Sequence, residues 1–329
     1  MKTILITGGA GYVGTLLSQQ LAKKYKIIVY DTFWFGDFIV SNKNIKKIKA
    51  DIRDISALNE IKDKIDIVIH LACISNDVSF ELNEKLSEEI NFKAFEPLLR
   101  FFKNKGVKQF INASSSSVYG FSDSPNVTED YPLIPLTLYN KFKGFCEPIL
   151  FDYHDNNFIC TNVRPATLCG YSPRLRLDLS VNILTHHAIK NNLIKVFGGS
   201  QMRPNLHVKD MCNFYEFLIN QNEKIIANQT YNISEENISI EKIAIKIQKI
   251  LKEKKNIDIK IEKISSTDDK RSYYLNSDKA KKKLNFKLEY SIDDAIIELA
   301  EILKTPHFDD SFDNTIYYNV KRLKELKIS

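Results

Sequence analysis

Long apolar runs are missing from this chain: no stretch approaches the ~20 consecutive apolar residues that a membrane-spanning helix needs, so no membrane role is expected. Cysteine is scarce. The five present, Cys73, Cys146, Cys160, Cys169 and Cys212, form no C-x-x-C pair and have no histidine at zinc-finger spacing. An odd, dispersed set excludes a disulfide scaffold and a zinc site, and fits reduced, mostly buried thiols in the cytoplasm. Charge of one sign is missing as well, since 47 Lys and Arg against 41 Asp and Glu leave a net +6. The lysines are scattered along helical stretches, which reads as solvated helix faces; nucleic acid is not an expected partner, and an anionic small molecule suits the charge equally well. No internal repeat and no low-complexity linker occur. The first residues run straight into a strand and a glycine-rich turn, leaving no stretch for a cleaved signal peptide, so a soluble intracellular protein is expected.

What is present is an ordinary globular composition, 43% hydrophobic and 27% charged, in a chain of 329 residues long enough for one large domain or two intertwined ones. Short apolar strands alternate with amphipathic helices through the first two-thirds. Strands are predicted over 2–7, 26–31, 46–50, 66–71, 108–113 and 158–163, and helices over 12–24, 86–105 and 142–153. Runs such as Ile27-Ile28-Val29-Tyr30 and Ile67-Val68-Ile69 are apolar on both faces, as strands covered by helices on each side are. The alternation implies right-handed crossovers and a doubly wound parallel sheet. Beyond Arg164-Pro165 the pattern becomes irregular. Residues 167–178 read as a loop, 181–191, 240–253 and 292–303 as helices, and 194–197, 229–234 and 257–264 as strands. The expected division is a Rossmann-type domain over 1–168, with segments near 205–234 returning to it, a smaller mixed α/β lobe over 169–305, and a polar tail over 306–329 that is loosely held.

The strongest signal is Thr7-Gly8-Gly9-Ala10-Gly11-Tyr12-Val13-Gly14, directly after a strand and opening a helix. Gly8 permits the tight turn, Gly11 lets backbone N–H groups approach a pyrophosphate, and Gly14 lets helix and strand pack closely. The helix N-terminus adds a positive dipole end. Asp31, ending the second strand, is placed to accept from the adenosine ribose hydroxyls and to repel a 2′-phosphate, which favours NAD over NADP. A solvated strand-end aspartate is the alternative. Asp51-Ile52 after the third strand and Leu71-Ala72 after the fourth are placed to flank the same cofactor, though each also fits ordinary strand-end packing.

Tyr139 and Lys143 stand four apart, so on a helix they share a face. Tyrosine ionises near pH 10, too high for a base at neutral pH. A nearby ammonium, together with a positive nicotinamide ring, is expected to bring the phenol toward the working range. Alone, Y-x-x-x-K is common on helices. It gains meaning from Ala113-Ser114-Ser115-Ser116-Ser117-Val118-Tyr119-Gly120 at the C-terminal end of the fifth strand, the edge where parallel sheets bind ligands. A serine there can hydrogen-bond the reacting oxygen and pass its proton to the tyrosine.

With these three motifs in this order, the chain resembles the extended short-chain dehydrogenase/reductase superfamily, and within it the nucleotide-sugar epimerases and dehydratases, over residues 1 to about 305. The resemblance implies catalytic roles for Tyr139, Lys143 and Ser115, and NAD held by Gly8, Gly11, Tyr12, Val13, Gly14 and Asp31. On the substrate side, Arg203-Pro204-Asn205-Leu206-His207-Val208-x-Asp210 resembles the family's R-D-x-x-H-V-x-D segment, whose arginine grips the nucleotide diphosphate. Arg271 in Asp269-Lys270-Arg271 resembles a second such arginine. The loop Ser172-Pro173-Arg174-Leu175-Arg176-Leu177-Asp178 is similar to a sub-branch that includes GDP-heptose C4 dehydrogenases, which implies that Arg174 and Arg176 hold substrate. A surface salt bridge is the competing reading for each arginine, and weighs more on Arg174 than on Arg203. Two departures stand out: Pro204 replaces a frequent Asp, and Ser116-Ser117 occupy the places where 4,6-dehydratases carry Asp-Glu. A serine hydroxyl is too weak an acid to protonate a leaving hydroxide well, which disfavours dehydration.

The resemblance therefore implies an NAD-dependent C4 epimerase of a nucleotide-sugar, working as a homodimer through the helices near 86–105 and 142–153. A net C4 dehydrogenase or reductase is the alternative, and a non-catalytic dinucleotide sensor a more distant one. Asn91 is expected to pack or bind water, His70 to be a satisfied near-core histidine, and His207 to order its loop. His186 and His187 point to different helix faces, so no metal is expected.

Overall fold

The computed structural model describes residues 1–122, 124–265 and 272–328. Twelve strands follow in chain order: β1 Thr3–Thr7, β2 Lys26–Asp31, β3 Ile45–Lys49, β4 Ile67–His70, β5 Gln109–Ala113, β6 Ile159–Pro165, β7 Thr167–Cys169, β8 Leu193–Phe197, β9 Met202–His207, β10 Gln229–Ile233, β11 Glu236–Ser239 and β12 Lys260–Ile264. Seven form one parallel sheet in the order β10-β6-β5-β4-β1-β2-β3. Chain order reverses between β1 and β4, where Ile4 pairs with Ile67 and Thr7 with His70. The expected doubly wound Rossmann-type sheet is thus present, and its switch point lies at the C-terminal ends of β1 and β4, where such sheets bind ligands.

The two faces of the sheet build two cores. On β1, Ile4 and Ile6 pack to one side with Leu17 and Phe214, while Leu5 packs to the other with Leu98 and Phe102. The period of two along an apolar strand sends alternate side chains to helices on both faces. Beyond the main sheet, β7, β9 and β11 form a three-stranded sheet and β8 and β12 a parallel pair. With helices Ser180–Asn191, Ile240–Lys255 and Ile292–Ile302, these strands make a smaller C-terminal lobe around Val181, Ile247 and Ile296. Among the described residues no helix is long and apolar enough to cross a membrane.

Several elements differ from the sequence expectations. The long helix over 86–105 is broken into Glu84–Glu88, a π-helical turn Glu89–Lys93 and Phe95–Asn104. The extra residue of the π turn aims Asn91 at the loop after β4, where its side chain accepts from Ile74 N at 2.8 Å and donates to Ile74 O at 2.9 Å. The helix placed at 142–153 starts earlier, at Leu138, because Thr137 caps it by accepting from Asn140 N at 3.3 Å. Residues 167–169, expected in a loop, form β7 beside β9. The stretch after Pro306, expected to be loosely held, is docked: it carries helix Asn319–Glu325, and Tyr317, Asn319 and Leu323 are buried. Buried aromatic and aliphatic side chains, not charge pattern, decide that docking.

Candidate active site

A cleft of ≈ 410 Å³ opens at the switch point, lined by residues of the Gly-rich turn, the ends of β2 to β6, the helix carrying Tyr139 and the C-terminal segment. Its floor is set by the close approach of β1 to β4. Gly8 sits at φ +69°, and a Cβ there would lie 2.7 Å from Ala72 N; one on Gly14 would lie 2.3 Å from Gly8 O. No larger residue fits either place without moving backbone. Helix Tyr12–Leu21 then opens from an extended Gly11 with no side-chain cap, so its first N–H groups face the cleft for an anionic ligand. At the end of β2, Asp31 accepts from Ala10 N at 2.9 Å and Phe33 N at 2.8 Å, which fixes the carboxylate beside the turn. Burial pushes its pKa up, against the pull of those amides and of the Arg174 guanidinium. Val13, Asp51, Ile52, Leu71 and Ala72 line the same cleft, although Asp51 also pairs with Arg53 at 2.9 Å. The Tyr12 side chain reaches the smaller lobe instead, donating to Gly170 O at 2.7 Å, so only its backbone serves the turn. This cradle of bare glycines, uncapped amides and one ribose-height carboxylate fits a dinucleotide.

Tyr139, Lys143 and Ser115 line the same cleft. Lys143 is 6% exposed and donates to Ala113 O at 2.7 Å, which seats it against the end of β5. Ser115 and Ser117 share a hydroxyl bond of 2.7 Å, and Ser117 donates to Asn140 Oδ1 at 2.5 Å. Ser116 is buried away from the cleft. The expected lowering of the phenol is not what the protein alone provides. Burial pushes Tyr139 well above the ordinary tyrosine value, Cys73 and Asp77 push it further, and the cation that opposes them is Arg176. The ammonium one helical turn away is turned to a backbone carbonyl, which explains the difference.

Arg174 and Arg176 both line the cleft. The surface salt bridge weighed for Arg174 is therefore corrected: it is 2% exposed, stacks over Phe35 at 4.1 Å and donates to Asn319 Oδ1 at 2.7 Å. Burial, with Arg176 beside it, pulls its pKa down to about 9. Arg176 donates to Asp178 Oδ1 at 2.9 Å and Ser75 Oγ at 3.2 Å. Arg203 is set apart on β9, donating to Met202 O at 2.9 Å and lying over the Tyr273 ring at 5.2 Å, a ring that itself lines the cleft. Arg271 lies outside the described residues. His207 caps helix Val208–Ile219 by accepting from Lys209 N at 3.1 Å, and Asp210 accepts from Glu289 N and Tyr290 N, so both order the lobe. His70 bonds Thr7 Oγ1 at 2.8 Å, and burial lowers its pKa to about 3. His186 bonds Ser311 Oγ at 2.8 Å. Sequence reasoning missed Trp34, Phe35, Ser75, Asp77 and Asn319 in the cleft wall. The aromatic pair three residues past Asp31 was a readable sign; Asn319, brought in from far along the chain, left none.

The sequence model of a family described as NAD dependent epimerase/dehydratase matches residues 4–234. A dTDP-D-glucose 4,6-dehydratase of Dictyostelium discoideum is 30% identical over 257 residues, 71% of this chain and 58% of that protein. A UDP-glucose 4-epimerase of Bacillus subtilis is 27% identical over 240 residues, covering 64% of this chain and 70% of the relative. The match thus spans little more than half of the first relative's length. Among solved structures, a UDP-glucuronic acid 4-epimerase from Bacillus cereus, in complex with UDP-glucuronic acid and NAD, aligns with a TM-score of 0.78 at 25% identity, over 92% of this chain and 99% of its own.

Proposed function

The chain belongs to the NAD-dependent epimerase/dehydratase family, and from that premise we propose that it is an NAD-dependent nucleotide-sugar epimerase working by transient oxidation at sugar C4. The observation that carries the reading is the convergence of Tyr139, Lys143 and Ser115 on the cleft that begins at the Gly-rich turn and Asp31. Asp31 receives the adenosine ribose, and the amides opening helix Tyr12–Leu21 receive the diphosphate. NAD, when bound, supplies the acceptor and donor of the C4 hydride.

Ser115 hydrogen-bonds the C4 oxygen and relays its proton to Tyr139 in its ionised form, and the phenol so formed holds the proton until the oxygen is reduced again. Lys143, seated against Ala113 O, puts a fixed positive charge in the site, and the charge of Arg176 opposes the rise of the phenol's pKa. Turning the keto sugar between the two half-reactions inverts C4. Ser116 and Ser117 leave those two positions without a carboxylate to expel hydroxide, which disfavours 4,6-dehydration. The exposed Phe145 ring, edge-on to Phe92, suits a homodimer contact through helix Leu138–Asp152, checked by sedimentation.

A net C4 dehydrogenase is the second reading, favoured by the buried 172–178 loop forming the cleft wall. Incubation of the purified protein with UDP-, GDP- and dTDP-sugars separates the two. The epimerase gives the C4 epimer with at most catalytic NADH; stoichiometric NADH with a keto product removes it.

A further inference from the structure

We infer that Arg174, with Arg176 beside it, grips the diphosphate bridge of the dinucleotide from the 172–178 loop, which packs on the Gly-rich turn through Ser172 Oγ and Tyr12 O at 2.6 Å, instead of holding substrate. The inference rests on the dinucleotide reading above and adds residues to it. The Gly-rich turn and helix Tyr12–Leu21 offer amides but no cationic side chain between Thr7 and Leu21. Among the described residues lining the cleft the cations are Lys143, Arg174 and Arg176, and Lys143 is committed to Ala113 O at the phenol end.

The two arginines each keep a donor that has no hydrogen-bond partner, Nε of Arg174 and Nη2 of Arg176, although Arg174 is 2% exposed. A buried charged donor left unmatched is costly, and a phosphate oxygen in the cleft satisfies it. Arg174 lies over the Phe35 ring, four residues past Asp31, and Arg176 donates to Ser75 Oγ in the loop after β4. The pair therefore bridges the loops after β2 and β4, both of which line the cleft.

Asn319 is the positioning residue. It accepts from Arg174 Nη2 at 2.7 Å, donates to Ser75 Oγ at 2.8 Å, and its N–H donates to Asp178 Oδ2 at 3.0 Å. Ser75 and Asp178 in turn hold Arg176. One asparagine from the C-terminal segment thus fixes both guanidinium groups.

The test is calorimetric titration of the full chain, stripped of copurified nucleotide, with NAD, ADP-ribose, AMP and UDP-glucose. Arg174→Gln is expected to weaken NAD and ADP-ribose by roughly 10- to 100-fold, and AMP, which lacks the diphosphate bridge, far less. UDP-glucose affinity stays as in the wild type. Arg174→Lys, keeping charge but losing the planar fork, falls between. Unchanged NAD affinity with weakened UDP-glucose overturns the inference and returns Arg174 to the substrate. Should Arg174→Gln fail to fold, Arg174→Lys and Asn319→Ala decide: NAD weakened with UDP-glucose unchanged supports the grip, and wild-type NAD affinity in both overturns it. A wild-type protein that takes UDP-glucose but no NAD sinks the proposed function itself, a result distinct from a missing difference between variant and wild type.

Discussion

At the residue scale the proposed chemistry turns on one phenol and the charges that act on it. Tyr139→Phe removes the proton acceptor while keeping the ring, so kcat is expected to fall roughly 10²- to 10⁴-fold with NAD still bound. Unchanged turnover would instead remove Tyr139 from the chemistry. The pH dependence follows from the direction of the Tyr139 shift. Burial favours the neutral phenol, and Arg176 is the first charge opposing it. Removing that cation in Arg176→Gln raises the phenol further, so at any pH below its pKa a smaller fraction is ionised. The rising limb of kcat/KM against pH moves to higher pH in this variant, and part of the lost rate returns on the alkaline side. A profile displaced to lower pH, or one not displaced at all, removes Arg176 from the control of the phenol. Cys73 and Asp77 push the phenol the other way, so the site balances opposing charges around one hydroxyl.

At the element scale the helix that carries Tyr139 is held to the sheet by a buried ion pair. Glu147, two turns beyond Tyr139 on helix Leu138–Asp152, pairs with Arg164 of β6 at 2.5 Å and accepts from Ser114 Oγ at 2.5 Å. Both side chains are nearly solvent-free, at 6% and 5% exposure. Glu147→Ala strands the Arg164 charge in the interior and is expected to cost about 3–5 kcal/mol, read as a lower midpoint of denaturant unfolding. A midpoint within error of wild type removes the pair from the stability of the fold. This strut was invisible in the sequence, where Glu147 and Arg164 read as ordinary charged residues of a helix and a strand end. The strands of the main sheet were legible because burial on both faces demands continuous apolar runs, as in Ile27–Tyr30. β9 was not: Arg203-Pro204-Asn205 carries no apolar alternation, and only its pairing with β7 and β11 shows it to be a strand. The π turn at Glu89–Lys93 was hidden for another reason, since an apolar stripe continues through it and only Asn91's two bonds to Ile74 reveal the extra residue. Helix Val208–Ile219 was legible in principle, with Val208, Met211, Cys212 and Tyr215 at helical spacing, but the motif preceding it masked its start.

At the scale of the whole molecule, the cofactor cleft is closed by parts of the chain that are remote in sequence. The Gly-rich turn and Asp31 come from the first 31 residues, Tyr139 and Lys143 from the middle, and Asn319 and Leu323 from the end. The identity of the turn and of the Tyr-Lys pair could be read from short motifs because their chemistry requires fixed local spacing. The closing wall could not, because it depends on where the C-terminal segment docks. That docking includes a direct tie to the segment after β2: Arg322 Nε donates to Trp34 O at 2.7 Å, and Trp34, Phe35 and Leu323 all line the cleft. Arg322 itself is not among the lining residues, so cutting this tie changes access without removing a ligand contact. In Arg322→Ala the dinucleotide is expected to leave roughly 3- to 10-fold faster, a loss on the scale of the net worth of one ordinary hydrogen bond. Displacement of bound NAD by an excess of labelled NAD in stopped samples measures it directly. The midpoint of thermal unfolding without cofactor should move little, since the guanidinium is partly exposed and the buried apolar contacts of the segment remain. If exchange keeps its wild-type rate, closure by the C-terminal segment does not control release, and the retention of cofactor must be traced to the arginine pair and the Gly-rich turn alone.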